Sequence, residues 1–188
     1  IFFILFFYQF HLIYNGFDEN EFFPLAMQAN RFIISYFGRL YNKEMRNPRL
    51  LFEALQELDK KGISNSKNVV VKWFVDENSR KIVEEIAQEF KLEDYMEYHP
   101  FIIPDKLNNE MNQSSVLLVL CNVKKSKQYF GIMTTKFFEA VGIKRPVLCI
   151  PDNNDDLSDL VKLTHSGLVT SDANEVEKFL EEKILEWQ

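Results

Sequence analysis

A chain of 188 residues with 46% hydrophobic and 14% aromatic content can bury a real core and is too apolar for disorder, which leaves one globular unit of ordinary size. Its formal net charge of -6 excludes a general nucleic-acid binder, because affinity for a phosphate backbone needs an excess of Lys and Arg on one face. Small anions are not excluded, since a local cluster can differ in sign from the whole. The two cysteines, Cys121 and Cys149, lie in apolar runs and read as inert core thiols, which favours the cell interior.

The chain opens with "IFFILFFYQFHLIYNGFD". Its unbroken apolar run ends at Gln9, well short of the roughly 20 residues of a membrane helix, and it has neither the basic lead nor the small-residue cleavage site of a signal peptide. Residues 1–14 therefore read as a linker, as a strand that has lost its covering partner, or as an artefact. Residues 15–188 read as the domain.

From Arg31 onward short apolar runs alternate with amphipathic stretches, the pattern of a parallel sheet covered by helices on both faces. "RFIISYFG" is the first strand. "NPRLLFEALQELDKKG" follows as a helix with Asn47 as N-cap, Pro48 at its first position, Leu51, Leu55 and Leu58 on one face, and Gly62 as its stop. "NVVVKWFV" and "SRKIVEEIAQEFKL" repeat the unit, with Ser79 as the expected cap. "YMEYHPF" is a weaker strand, "PDKLNNEMNQ" a short helix, and "SVLLVLC" a buried strand. A polar loop over residues 122–130 leads to a helix beginning near Thr134, then the strand "PVLCIP". Asp155 or Asp156 caps "DLSDLVKLT"; "GLVT" is a last short strand and "ANEVEKFLEEKILEW" the closing helix. The expected fold is a Rossmann-like three-layer α/β/α domain with a mostly parallel sheet.

On such a sheet ligands bind beyond the carboxyl ends of the strands, where unpaired N–H groups at helix starts favour anions. After the first strand come Gly38, Arg39, Lys43 and Arg46. After "SVLLVLC" come Lys124, Lys125, Lys127, Gly131, Thr134, Thr135 and Lys136. Two basic loops in an acidic protein form a diphosphate-sized feature. Glu139 follows Thr135 by four residues and Lys136 by three, so the three share one side of their helix, where a carboxylate suits the paired hydroxyls of a ribose. Spacing alone equally allows Lys136 and Glu139 to be an ordinary helical ion pair of about 0.3–0.5 kcal/mol.

"TTKFFEAVGIKRPVLCIP" resembles the lysine-glutamate signature in the C-terminal half of GT-B glycosyltransferases of the family 4, or group 1, kind: Ser/Thr, a spacer, Lys, two apolar residues, Glu, a small residue, then a Pro-Val-Leu strand. "YNGFD", "YFGRLYNKEMRNPRLLFEAL" and "GLVTSDANEVEKFL" resemble the entrance, first strand-loop-helix and closing segment of that half, in the same order. The resemblance implies a domain that holds a nucleotide-diphosphate sugar, a UDP-sugar or GDP-sugar, without a bound metal, for hexosyl transfer in polysaccharide or glycoconjugate synthesis. Glu139 would hold the ribose, Lys136, Thr134 and Thr135 would lie at the diphosphate, and Arg46, with Arg39 and Gly38 close by, would be the basic group of the first loop. The acceptor-binding N-terminal half would be a missing partner, so this chain alone would be inactive. The implied location is cytoplasmic or peripheral at the inner face of a membrane, where a lipid-linked acceptor could meet the lysines of the polar loop.

One departure stands out. Many members carry two glutamates separated by seven residues, and the position eight before Glu139 is Gly131, which leaves the donor sugar open, with the backbone around Gly131 and Ile132 as its candidate reader. His11, His99 and His165 are scattered without metal-ligand spacing, and His99 reads as a satisfied structural histidine. Asn15-Gly16 reads as a turn, and Asp152, Asp155 and Asp156 as helix capping rather than a cation site. "FGRLYNKEMRN" lacks the Gly-rich turn of a dinucleotide oxidoreductase. A sugar-nucleotide epimerase of the GT-B fold and a non-catalytic interaction module of the same fold stay open as alternatives.

Overall fold

Six strands pair in the order β3-β2-β1-β4-β5-β6, and every pairing is parallel, so the sheet is wholly rather than mostly parallel. The computed structural model describes residues 13–122 and 133–188. Most of the apolar start, with His11, and the loop positions Lys124, Lys125, Lys127, Gly131 and Ile132 lie outside them.

Among the described residues strands and α-helices alternate, with one 3₁₀ turn (Glu93–Tyr95) before β3: β1 (Phe32–Phe37), α1 (Arg49–Lys60), β2 (Val69–Phe74), α2 (Glu77–Phe90), β3 (Met96–His99), α3 (Pro104–Gln113), β4 (Val116–Leu120), α4 (Thr135–Ile143), β5 (Val147–Ile150), α5 (Asp156–Thr164), β6 (Gly167–Val169) and α6 (Ala173–Trp187). The strands after β1 first grow outward through β2 to β3. The chain then returns to place β4 on the other side of β1 and grows the opposite way. Because crossovers between parallel strands keep one hand, reversing the direction of growth puts the later crossover helices α3, α4 and α5 on the other face, while α6, which follows the last strand, returns to the face of α1 and α2.

The period-2 pattern of the strands divides the core accordingly. Phe32, Ile34, Tyr36, Val69, Val71, Trp73, Val116, Leu118 and Leu148 pack with Leu51, Phe52, Leu55 and Leu58 of α1, Val83 and Ile86 of α2, and Val176, Leu180 and Ile184 of α6. The alternate positions, Phe37, Phe74, Leu117, Val119, Val147 and Cys149, face Leu107 and Met111 of α3, Phe137, Phe138 and Ile143 of α4, and Leu157 and Val161 of α5. A fully buried side chain of this size contributes on the order of 1.5–3 kcal/mol. The four on α1 therefore outweigh any cap, at about 1 kcal/mol, in deciding where that helix lies.

Helix starts differ in detail from the sequence expectation. α1 begins at Arg49 with Pro48 in the cap position, one residue later than expected. Asn47 still serves the end, its Oδ1 accepting from the Arg49 amide at 3.0 Å. α2 is capped by Asp76 rather than Ser79: Asp76 Oδ1 accepts from the Ser79 amide at 2.8 Å. Ser79 is buried, and its Oγ accepts from the Leu40 amide at 3.0 Å, so it ties the basic loop after β1 to the start of α2. Asp155 caps α5 through the Asp156 amide, as one of the two expected choices. Gly62 takes φ +70 just beyond α1, the left-handed geometry of a helix stop. The turn expected at Asn15-Gly16 falls instead at Asp18, whose carbonyl accepts from Glu21 and Phe22 and whose carboxylate accepts from Asn20. A carboxylate two residues before an amide closes such a turn without needing glycine.

Two stability outcomes follow from these contacts. A Cβ on Gly167 would lie 1.9 Å from the Val147 carbonyl oxygen, so Gly167→Ala is expected to lower stability by about 2–3 kcal/mol in urea unfolding, through forced separation of β5 and β6. The Ser79 amide, and secondarily Arg39, hold the Asp76 carboxyl below its ordinary range. A depressed folded-state value means stabilisation that is present above the unfolded value and lost as pH falls through the folded one. Asp76→Ala is thus expected to cost about 1 kcal/mol at neutral pH, with the deficit against wild type shrinking below about pH 4 in thermal melts.

Candidate functional site

The reversal of strand order leaves a crevice between the carboxyl ends of β1 and β4, and the best-organised polar group of the described residues stands in it. Arg46, from the loop after β1, reaches across to β4: its Nε donates to Asn122 Oδ1 at 3.1 Å. Its NH1 donates to the Arg39 carbonyl at 2.9 Å and lies 3.4 Å from the Tyr36 hydroxyl, while the guanidinium covers the Tyr41 ring at 5.2 Å. Tyr36 also donates to the Arg39 carbonyl at 2.9 Å, and burial raises its phenol above the ordinary value, so it stays neutral under the cation. No carboxylate pairs with Arg46 among the described residues.

Glycine at 38 is required by geometry: φ is +150, and a Cβ would sit 3.5 Å from the Tyr36 hydroxyl and 3.9 Å from Arg46 NH1. The hollow beside Arg46 is lined by Leu120, Cys121, Asn122, Thr134, Asn153, Leu157 and the carboxylate-bearing Asp155. Asn153 Nδ2 donates to the Asn122 carbonyl at 3.3 Å, and Ser158 Oγ donates to Asn153 Oδ1 at 3.1 Å, which fixes the β5 side. Asn122, Asn153 and Tyr36 were missed as site residues in the sequence. Asn122 was detectable as the polar residue that directly follows the buried run "SVLLVLC"; Asn153, three residues past β5, had no such signal.

Helix starts around the crevice differ in sign. α2, α5 and α6 are capped by Asp76, Asp155 and Asp172 and carry further acids in their first turns; α3 carries Asp105 there. α1 and α4, which follow the two strands flanking the crevice, have no acid in the first turn and no side-chain bond from the cap residue. Thr134 occupies the cap position of α4 without a side-chain cap bond, and it lines the hollow. Among the described residues no carboxylate cancels the partial positive charge of these two helix ends, although Asn47 takes up one amide of α1.

Thr135 opens α4 at an exposed position. Lys136 and Glu139 pair with each other, Nζ reaching both carboxylate oxygens at 2.9 and 2.7 Å. Glu139 is nonetheless buried, at 9% exposure. Neither side chain lines the Arg46 hollow, so the structure joins Arg46, Gly38 and Thr134 in one place and leaves Lys136 and Glu139 as a closed ion pair on the helix that borders it. Arg39 and Lys43 turn away. Arg39 Nε meets Asp76 Oδ2 at 3.0 Å with its guanidinium over Phe101, and Lys43 pairs with Glu85 of α2.

His99 departs from expectation. Its ring stacks on Phe74 at 4.8 Å, but Nε2 is buried without a hydrogen-bond partner, 3.8 Å from Glu97, and it lines a separate hollow with Asp76, Arg80 and Phe101. Cys121 and Cys149 are buried thiols 3.1 Å apart; the hydrogen bond to Cys121 and burial push the Cys149 thiol well up, and it stays protonated. Asp152 accepts from the Asn154 amide and from Lys162, at 2.8 and 2.9 Å, which leaves it a structural role. Among the described residues no three His, Cys, Asp or Glu side chains converge, and no helix is long and apolar enough to cross a membrane.

Comparison with solved structures places this geometry in a known fold. Over 92% of its length the chain superposes on 42% of sucrose-phosphate synthase from Thermosynechococcus elongatus, with TM-score 0.69 and 18% identity. HepE of Anabaena, in complex with UDP and glucose, matches over 92% of this chain and 46% of that one, with TM-score 0.63 and 17% identity. The C-terminal domain of LpcC, a group 1 family glycosyl transferase of Francisella tularensis, matches over 90% of this chain and 88% of that one, with TM-score 0.59 and 16% identity. The chain thus spans less than half of the two longer relatives, and the shared fold is the C-terminal half of the GT-B architecture. No curated protein matches the sequence. The family model for glycosyl transferases group 1 matches residues 17–187, essentially the whole described chain, and the chain belongs to that family.

Proposed function

We propose that this chain is the donor half of a glycosyltransferase and holds a nucleoside-diphosphate sugar, a UDP-sugar in the first instance, at the β1/β4 crevice. The observation that carries the reading is Arg46, a cation without a carboxylate partner among the described residues, held between the two acid-free helix starts of an otherwise acidic protein. A diphosphate there accepts from the free guanidinium edge, from Thr134 and from the first amides of α4. HepE, with the same fold, is described in complex with UDP and with UDP-glucose, which supports the choice of nucleotide.

Lys136 and Glu139 enter this reading together. The ion pair holds both side chains extended on one face of α4, and binding exchanges it for two contacts, Lys136 to the phosphates and Glu139 to the ribose hydroxyls. Because Glu139 is buried, leaving the pair costs more than the roughly 0.3–0.5 kcal/mol of an exposed helical pair, so the exchange is favourable only when the ribose hydroxyls take up the carboxylate as Lys136 moves to phosphate. Catalysis is then mainly electrostatic: basic groups and amides, already in place, take up the charge of the departing nucleoside diphosphate while the sugar passes to its acceptor. The acceptor site belongs to a partner domain, and a role in polysaccharide or glycoconjugate synthesis at the cytoplasmic face of a membrane is the setting that fits the family best. Neutralisation by side chains and amides also makes a resident metal unnecessary in this scheme.

Titration of the chain with UDP, GDP, ADP and CMP, read by calorimetry and thermal shift, tests the proposal: UDP or GDP is expected to raise Tm, and no response to any of the four overturns it. Arg46→Ala is expected to weaken binding by roughly 10- to 100-fold, the loss of charge-assisted bonds at about 1.5–3 kcal/mol. For Glu139→Gln the expected loss is about tenfold for UDP and near nothing for inorganic pyrophosphate, which has no ribose. Equal losses for the two ligands would refute the ribose role.

A further inference from the structure

The segment that leads into β1 is seated on the helix that carries Lys136 and Glu139. A Cβ built on Gly142 would fall 2.6 Å from Cδ2 and 2.9 Å from Cε2 of Phe17, so the Phe17 ring rests on bare helix backbone that any larger residue would cover. Gly142 lies inside α4 and has no left-handed φ, so backbone freedom does not explain it. Glycine weakens a helix relative to alanine, and α4 has only nine residues, an uncapped start and a non-glycine left-handed end at Lys144. Such a helix depends on tertiary contacts for its position, and the ring is the contact that glycine makes room for.

The same segment is fastened again a few residues on. Asn112 of α3, fully buried, accepts from the Leu25 amide at 2.8 Å and donates to the Phe23 carbonyl at 3.0 Å. Arg145, two residues past the end of α4, donates to the Asn112 carbonyl at 2.6 Å and reaches the Leu25 carbonyl at 3.5 Å. The strap is thus tied to both ends of the α4 to β5 connection's surroundings, with Phe17 at the helix and Leu25 at its exit. Gly142 follows Glu139 by three residues, on the same stripe of the helix, which puts the ring one turn below the carboxylate.

We propose that Phe17 is a positioning residue: seated on Gly142, it sets the depth at which α4 presents Lys136 and Glu139 to the crevice, so that nucleotide affinity depends on the strap although the strap touches no ligand. The inference rests on the nucleotide-binding role given to α4 above. It assigns to an exposed aromatic and a helical glycine a joint function that neither has alone.

The sign of a Gly142→Ala effect is diagnostic, because alanine raises helix propensity wherever it fits. With Phe17 present, G142A is expected to lower Tm and weaken UDP binding by about tenfold. In a Phe17→Ala background the same change is expected to raise Tm and leave UDP affinity within about twofold of Phe17→Ala alone. A folded G142A chain that binds UDP as wild type does would overturn the proposal, whether its Tm falls, which would mean a purely structural contact, or rises, which would mean no contact. If wild type binds no nucleotide, the function reading has failed and the affinity claim falls with it; amide hydrogen exchange then tells the two failures apart, since unchanged protection over residues 135–143 in both single variants rejects the strap contact as well.

Discussion

The guanidinium of Arg46 joins the two strands at which the chain reverses its course through the sheet. Its bond to Asn122 closes the crevice between β1 and β4 from above, while Gly38 and the neutral Tyr36 phenol leave room and acceptors beneath it. A parallel sheet of this order has one such crevice, and every loop that can reach it starts from a carboxyl end of a strand. The position of the basic loop is then a consequence of topology, and its charge is a consequence of sequence. Neither would make a site without the other.

Electrostatic zoning reinforces this arrangement. Acidic side chains dominate the protein, and at the helix starts Asp76 and Asp172 as caps and Asp105 in a first turn do not line the Arg46 hollow, while Asp155, the cap of α5, does. The two central helix starts carry none. An excess of negative charge overall is compatible with an anion site because the field at short range is set by a few groups within a Debye length, about 8 Å at physiological salt, rather than by the sum. Arg39 and Lys43, by contrast, are satisfied by Asp76 and Glu85, which fasten the loop and leave Arg46 as its one cation without a carboxylate partner among the described residues.

Packing gives the site its rigidity. Ser79 anchors Leu40 under α2, Asn153 and Ser158 brace Asn122 from the β5 side, and the strap from Phe17 to Leu25 loads α4 and its exit. These supports come from three different segments of the chain. Each uses a small or polar side chain whose purpose is visible only from what lies against it.

Sequence by itself determined the architecture. Alternating apolar runs and amphipathic stretches, Gly62 after α1, and the strand-by-strand period of two suffice for an α/β domain, because burial of one helix stripe and both sheet faces leaves few other arrangements. It also marked Gly38, Arg46 and Thr134 as neighbours through the rule that sites gather at carboxyl ends, and the lysine-glutamate stretch marked the family. Tertiary structure decided the rest. Whether Ser79 or Asp76 caps a helix depends on a long-range demand, the Leu40 amide, that takes Ser79 away. Arg39 turns away to Asp76, 37 residues on, and Nε2 of His99 is left without a partner, and local pattern holds no record of either; the Lys136–Glu139 pair was one of two readings open in the spacing, and the fold decided for it. Gly142 is the sharpest case: in sequence it is a weak point in a helix, and only the ring of Phe17, brought there by the fold, gives it a reason.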